Sequence, residues 1–184
     1  MTDAKKNIWF FPVIVGILVI VSLLTPVASF NFMGASVADL WIWDLYIYDY
    51  GGVVVGTEFI SEPMVMIPSL IATSLIAIGG VIGIVSGLLL RRSNNNRKII
   101  APSALMGILF IVGALIWFVL VPVNFPMESY LGPPPFPGGT MDLWSLNYMG
   151  TSTSLHTMGF GLIGVFLAGI LSFGCIGAAI YYSK

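Results

Sequence analysis

The sequence predicts an all-α transmembrane fold, a four-helix bundle carrying a small antiparallel β-sheet made from the first extracellular loop. Three observations predict it. Hydrophobic residues fill 58% of the 184 positions and charged residues only 8%, whereas a soluble surface takes about 25% charged residues. The apolar residues gather into four runs, 8–27, 64–90, 99–121 and 155–182, and none of these contains Asp, Glu, Lys or Arg. A helix needs roughly 20 such residues to cross a hydrocarbon core of about 30 Å. Between the first two runs, aromatic and β-branched residues flank Gly51-Gly52, which is the pattern of a hairpin.

The charges order these runs across the membrane. All seven basic residues (Lys5, Lys6, Arg91, Arg92, Arg97, Lys98 and Lys184) lie in the N-terminal tail, in segment 91–98 or at the last position. Seven of the eight acidic residues (Asp39, Asp44, Asp49, Glu58, Glu62, Glu128 and Asp142) lie in segments 28–63 and 122–154. Short loops rich in Lys and Arg stay cytoplasmic. The expectation is therefore a single multi-pass domain, 1–184, in the cell membrane. Both termini and the inner loop 91–98 are expected inside, with outer loops 28–63 and 122–154. Lys5-Lys6 ahead of an apolar run also resembles a cleavable leader, but Pro26-Val27-Ala28-Ser29 is a poor cleavage site and the first run is expected to stay.

The first run begins near Pro12 and is closed by Pro26, and the third begins near Pro102 and is closed by Pro122. Both carry Gly-Ile-Leu-x-Ile-Val, at 16–21 and 107–112. Each is followed by an outer loop containing Asp-Leu-Trp, at 39–41 and 142–144, and then by a glycine-rich run. Two parallel halves, or convergent membrane composition, give that pattern. In the first loop, 41–50 and 53–60 are expected to pair as a hairpin. Trp41, Trp43, Leu45, Ile47 and Asp49 would share one face, and Ile42, Asp44, Tyr46, Tyr48 and Tyr50 the other. A lone two-stranded hairpin is marginal in water, so a further strand is expected near 29–33. The second loop is expected to carry less secondary structure, with 132–139 as extended polyproline-like chain.

Catalytic chemistry is not written in this sequence, and no enzyme, cofactor or metal is expected. Ionisable residues inside a membrane mark pumps, relays and ion pathways, and none stands in these runs. His156 is the one histidine and Cys175 the one cysteine, too few for a ligand set or an internal disulfide. Ser152 and Ser154 near His156 read as capping of the helix that follows. There is no phosphate-binding loop and no basic patch large enough for nucleic acid. The chain instead carries packing residues. Gly79, Gly83 and Gly87 recur at intervals of four, as do Gly164, Ala168 and Ser172, and small residues on one helix face let helices approach closely in lipid. These faces are expected to pack inside one bundle rather than between protomers.

Asp39-Leu40-Trp41 ahead of the hairpin, and the run from Ala101 to Leu115, resemble the claudin and peripheral myelin protein superfamily of tetraspan proteins. The resemblance implies a β-sheet in the first outer loop and a non-enzymatic role in adhesion, sealing or membrane organisation. It also implies a loop disulfide, but Asp44 stands where the first cysteine would be and no cysteine stands near Val54. On this reading membrane lipid is one partner. A protein partner or second copy would meet the outer aromatics Trp41, Trp43, Tyr46, Tyr48, Tyr50 and Trp144. An accessory scaffold subunit of a multi-subunit membrane enzyme or respiratory complex is the alternative. A small-molecule channel between the helices is a third reading.

Overall fold

The structure is a computed structural model, and it describes residues 8–32, 35–43, 45–48, 54–58, 63–91, 96–124, 140–141, 146–148, 151–153 and 156–182. Four helices form the bundle: α1 Phe10–Leu23, α2 Pro63–Leu90, α3 Ile100–Asn124 and α4 Phe160–Tyr181. A short 3-10 turn, Asn96–Ile99, leads into α3. Helices α2, α3 and α4 are long and apolar enough to cross a membrane.

Helix α1 is shorter than the apolar run that encodes it. It has 14 residues, about 21 Å at 1.5 Å per residue, against an expected span of 8–27. Local chemistry sets its end. Leu24 N–H is shared between the carbonyls of Ile20 and Val21 (3.2 and 3.1 Å), and Thr25 N–H and Oγ1 both reach the Ser22 carbonyl. Pro26 follows, and a proline disfavours helical backbone in the residue before it.

Glycines set the helix register. Every pair of sequence neighbours is in contact, and α4 closes back on α1. A Cβ on Gly16 would lie 2.7 Å from the Gly80 carbonyl oxygen, and one on Gly87 would lie 2.7 Å from that of Trp9. Gly83 sits against Met106 and the Pro12 carbonyl, Gly79 against the Phe110 ring, and Gly113 against Ile76. On α4, Gly164 meets the Ser22 hydroxyl and Gly169 meets Ile111, while Gly107 of α3 meets Ser172 and Phe173. Ala168 and Ser172 are fully buried, and Ser172 Oγ donates to the Ala168 carbonyl at 2.8 Å. The glycine stripe of α2 and the small-residue stripe of α4 thus both pack inside the bundle. Large side chains point the other way: Leu89 is 71% exposed and Ile170 65%, a surface that suits lipid and not water.

The same register makes the bundle uneven in height. Gly16 of α1 lies level with Gly80 and Ile84 of the antiparallel α2. Leu23 therefore ends about a dozen residues short of the start of α2, roughly 18 Å. Helix α4 begins at Phe160, with Gly161 beside Thr25 and Pro26 and Gly164 beside Ser22. Helices α2 and α3 stand tall at this end and α1 and α4 stand short, which leaves a step.

A β-sheet fills the step. Strands β1 Ala28–Phe32, β2 Ala35–Leu40, β3 Leu45–Tyr48, β4 Val54–Glu58 and β8 His156–Met158 form one antiparallel sheet in the order β4-β3-β2-β1-β8. Val27, Leu40 and Ile42 from its lower edge join Val65, Trp117 and Val121 of the tall helices in the main core. The expected hairpin is present as β3 and β4, with Leu45 opposite Glu58 and Tyr48 opposite Val54. The expected extra strand is β1, and β2 accompanies it.

Three expectations need correction. Residues 41–43 form a bend rather than the start of β3, and the Ile42 carbonyl there accepts from Trp117 Nε1 of the bundle. The last run does not begin as helix at 155: His156–Met158 pairs with Ala28–Phe30, and helix follows from Phe160. The second loop is not poor in structure, since β5 Thr140–Met141, β6 Leu146–Tyr148 and β7 Thr151–Thr153 form a separate antiparallel sheet. The segment 132–139 lies outside the described residues.

Gly16→Val places new carbon against the backbone of α2 and forces the helices apart. The expected loss is about 1–3 kcal/mol, the usual cost of overpacking. A Cβ on Gly177 meets nothing within 4 Å, so Gly177→Val should stay within about 0.5 kcal/mol of the parent. Unfolding midpoints in detergent for the two variants check this, and equal midpoints would overturn the assigned register.

Candidate functional site

The candidate site is the seam where the sheet meets the bundle, and its centre is Asp39-Leu40-Trp41-Ile42-Trp43. Strand alternation followed by the bend buries Leu40 (0% exposed) and Ile42 (1%). Trp41 and Trp43 stay half-buried. Their ring centroids lie 6.2 Å apart with planes at 42°, within the range of favourable aromatic pairing.

Five hydrogen bonds hold the seam. Trp43 Nε1 donates to the Leu23 carbonyl at 2.7 Å. The last carbonyls of a helix lack partners within it, so this indole serves as a side-chain cap for α1. Trp117 Nε1, from α3, donates to the Ile42 carbonyl at 3.1 Å. Val27 N–H donates to the Leu40 carbonyl at 2.6 Å, Gly159 N–H to the Val27 carbonyl at 2.7 Å, and Gly161 N–H to the Pro26 carbonyl at 3.0 Å. The loop is thereby tied to α1, α3 and α4 together.

Gly159 has extended backbone as the residue before α4 (φ −86°, ψ 170°). A Cβ there would run into the Pro26 carbonyl, and so this crossing requires glycine. Together with Trp117 and Pro26, Gly159 is a residue of the seam that sequence reasoning passed over. The signal for Trp117 was available: an indole N–H deep in an apolar run needs an acceptor.

The aromatics expected to meet a partner are only partly brought together. Trp41 and Trp43 adjoin in the bend. Tyr46 and Tyr48 lie two apart on β3, with Tyr46 opposite Asp39 of β2 and Thr57 of β4. Tyr50 and Trp144 lie outside the described residues. Among those six, Trp43 has a second task, since its N–H closes α1. His156 takes its place in β8 opposite Phe30, and among the described residues no group of three His, Cys, Asp or Glu could hold a metal ion. What the described seam offers a ligand is aromatic surface and backbone on a buried, hydrogen-bonded base. Set against models of known protein families and against curated proteins, the chain finds no match.

Trp117→Phe keeps an aromatic ring but leaves the Ile42 carbonyl without its donor in a fully buried place. The expected cost is about 1–3 kcal/mol, together with faster proteolysis of the sheet at unchanged helical circular dichroism. Trp43→Phe should cost less, about 0.5–1.5 kcal/mol, because water reaches a half-buried carbonyl. A variant pair ranked the other way would place the stronger clamp on α1 instead of α3.

Proposed function

We propose that this chain is a non-enzymatic integral membrane tetraspan of claudin-like architecture, and that it organises or joins membranes through its outer aromatic loops. All four helices cross the bilayer on this reading. Both termini and the Asn96–Ile99 turn are cytoplasmic, with the sheet outside. The first crossing is completed by 24–27 and by the seam, because α1 alone is shorter than the hydrocarbon core.

The observation that carries the proposal is the seating of the sheet. Leu40 and Ile42 are buried in one cluster with residues of α2 and α3, while Trp41, between them in sequence, keeps part of its surface exposed. A rigid platform lowers the ordering cost of binding, and Trp and Tyr supply much of the energy at protein interfaces. The exposed apolar girdle of the helices supports lipid as the surrounding partner.

One observation favours a second reading, the accessory scaffold subunit. Gly174 and Gly177 on α4 face open space, and small residues on an outward helix face admit close approach by another helix. Gentle solubilisation from native membranes followed by native mass spectrometry separates the two. A homo-oligomer or an outer-loop partner that is lost in Trp41→Ala/Tyr48→Ala, with the fold retained, is the expected result. An unchanged set of companions and an unchanged oligomeric state in that variant would sink the outer-loop reading. A fixed hetero-complex lost in Gly177→Leu would establish the subunit.

A further inference from the structure

The end of the bundle opposite the sheet is built differently from the seam. Ile8, Ile99 and Ala179 are buried together there, with Leu90, Ile100 and Tyr182 packed against them. This apolar plug joins the start of α1, the end of α2, the turn before α3 and the end of α4. Around it stand aromatic residues and cations. The Arg91 guanidinium carbon lies 5.2 Å from the centre of the Trp9 ring, and the Trp9 carbonyl is pinned against Gly87. Arg97 and Lys98 are exposed on the 3-10 turn, which Ile99 anchors in the plug. Tyr181 and Tyr182 complete the rim, with ring centroids 5.0 Å apart.

We propose that this rim, with Arg91 held over Trp9 and Arg97 and Lys98 on the anchored turn, is a binding surface for the headgroups of anionic phospholipid. Charge complementarity selects the occupant: among the described residues at this end the charged side chains are Arg91, Arg97 and Lys98, all of them basic. Indole and phenol rings settle at the headgroup level of a bilayer, and they set these cations at phosphate depth. Arg91 is oriented by its contact with an aromatic face, and the turn residues are oriented by the docked backbone, so little freedom remains to be lost on binding. A plug beneath keeps water and headgroups out of the bundle. The surface is distinct from the outer aromatics, although it rests on the membrane reading of the helices.

The test uses the full-length chain in nanodiscs of phosphatidylcholine alone or with one-fifth phosphatidylglycerol, released into native mass spectrometry to count retained lipids. The parent should retain phosphatidylglycerol above its share of the bilayer. Arg91→Gln/Arg97→Gln/Lys98→Gln should lose that preference, on the order of fivefold per cation removed. Equal retention of the two lipids by the parent, or an undiminished preference in the triple variant, would overturn the inference. Should the triple variant fail to fold, the parent alone decides, because its preference must weaken as salt is raised and the attraction is screened. A preference indifferent to salt would overturn the proposal equally. Failure of the chain to enter either kind of nanodisc strikes the membrane reading itself, and entry into both without preference strikes only this surface.

Discussion

Everything at the sheet end depends on one crossing of two chain segments, Pro26-Val27 and Gly159-Phe160-Gly161. The carbonyls of Pro26 and Val27 accept from Gly161 and Gly159, while Val27 N–H donates to Leu40. Three hydrogen bonds on two adjacent residues thus determine where α1 stops, where α4 starts and where the sheet begins. The pairing of β1 with β8 continues directly from this crossing: Ala28 lies opposite Met158 and Ser29 opposite Thr157. Proline supplies a carbonyl on a segment that cannot continue as helix, and glycine supplies the room for that carbonyl. Side chains larger than hydrogen at 159 would drive the two segments apart and lift the sheet from its step.

The step itself follows from helix packing. Backbones that approach at Gly16, Gly80 and Gly83 leave little freedom for α1 to slide along α2, because interior packing tolerates no overlap. With the register settled, a 14-residue helix beside a 28-residue helix must leave one flank of its taller neighbour bare. The flanks left bare on α2 and α3 are apolar, and Val65, Trp117 and Val121 are wholly buried in one cluster with Leu40 and Ile42. Sheet and helices therefore form one core, so a change at Trp117, 75 residues from Ile42 in sequence, reaches the sheet through a single hydrogen bond.

Much of this was legible in the residues. Runs free of charge marked the helices, and the bounds of α2 agree with its run to within one residue at its start; Pro122, read as the close of the third run, lies inside α3, which continues to Asn124. The glycine spacing announced close packing, and the two-glycine turn between β-branched stretches announced the pairing of β3 with β4. What escaped notice depended on contacts distant in sequence. Trp41 and Trp43 share the period-two pattern of Leu45 and Ile47, and that reading extends the strand through them; the chain bends where Trp43 Nε1 and the Ile42 carbonyl bond to the helices. His156–Met158 adjoins an apolar run and passes for its first turn, and becomes strand because β1 offers it an edge. The split role of Trp43, cap and candidate contact at once, was equally hidden, since the carbonyl it satisfies belongs to a helix that composition alone draws too long.

The claudin-like resemblance implies a loop disulfide, for which this sequence has no second cysteine. The one cysteine, Cys175, is buried in α4, far along the chain from the sheet. A disulfide stabilises chiefly by restricting the unfolded chain. The seam acts on the folded side instead, through buried apolar contacts and indole-to-carbonyl hydrogen bonds that exist only when sheet and helices meet. Such bonds act cooperatively, because each donor sits on one element and each acceptor on another. A two-stranded fragment of the sheet would be marginal in water, and the contacts with the bundle add to what the strands supply by themselves. This hold uses no cysteine and so is indifferent to the redox state of its surroundings.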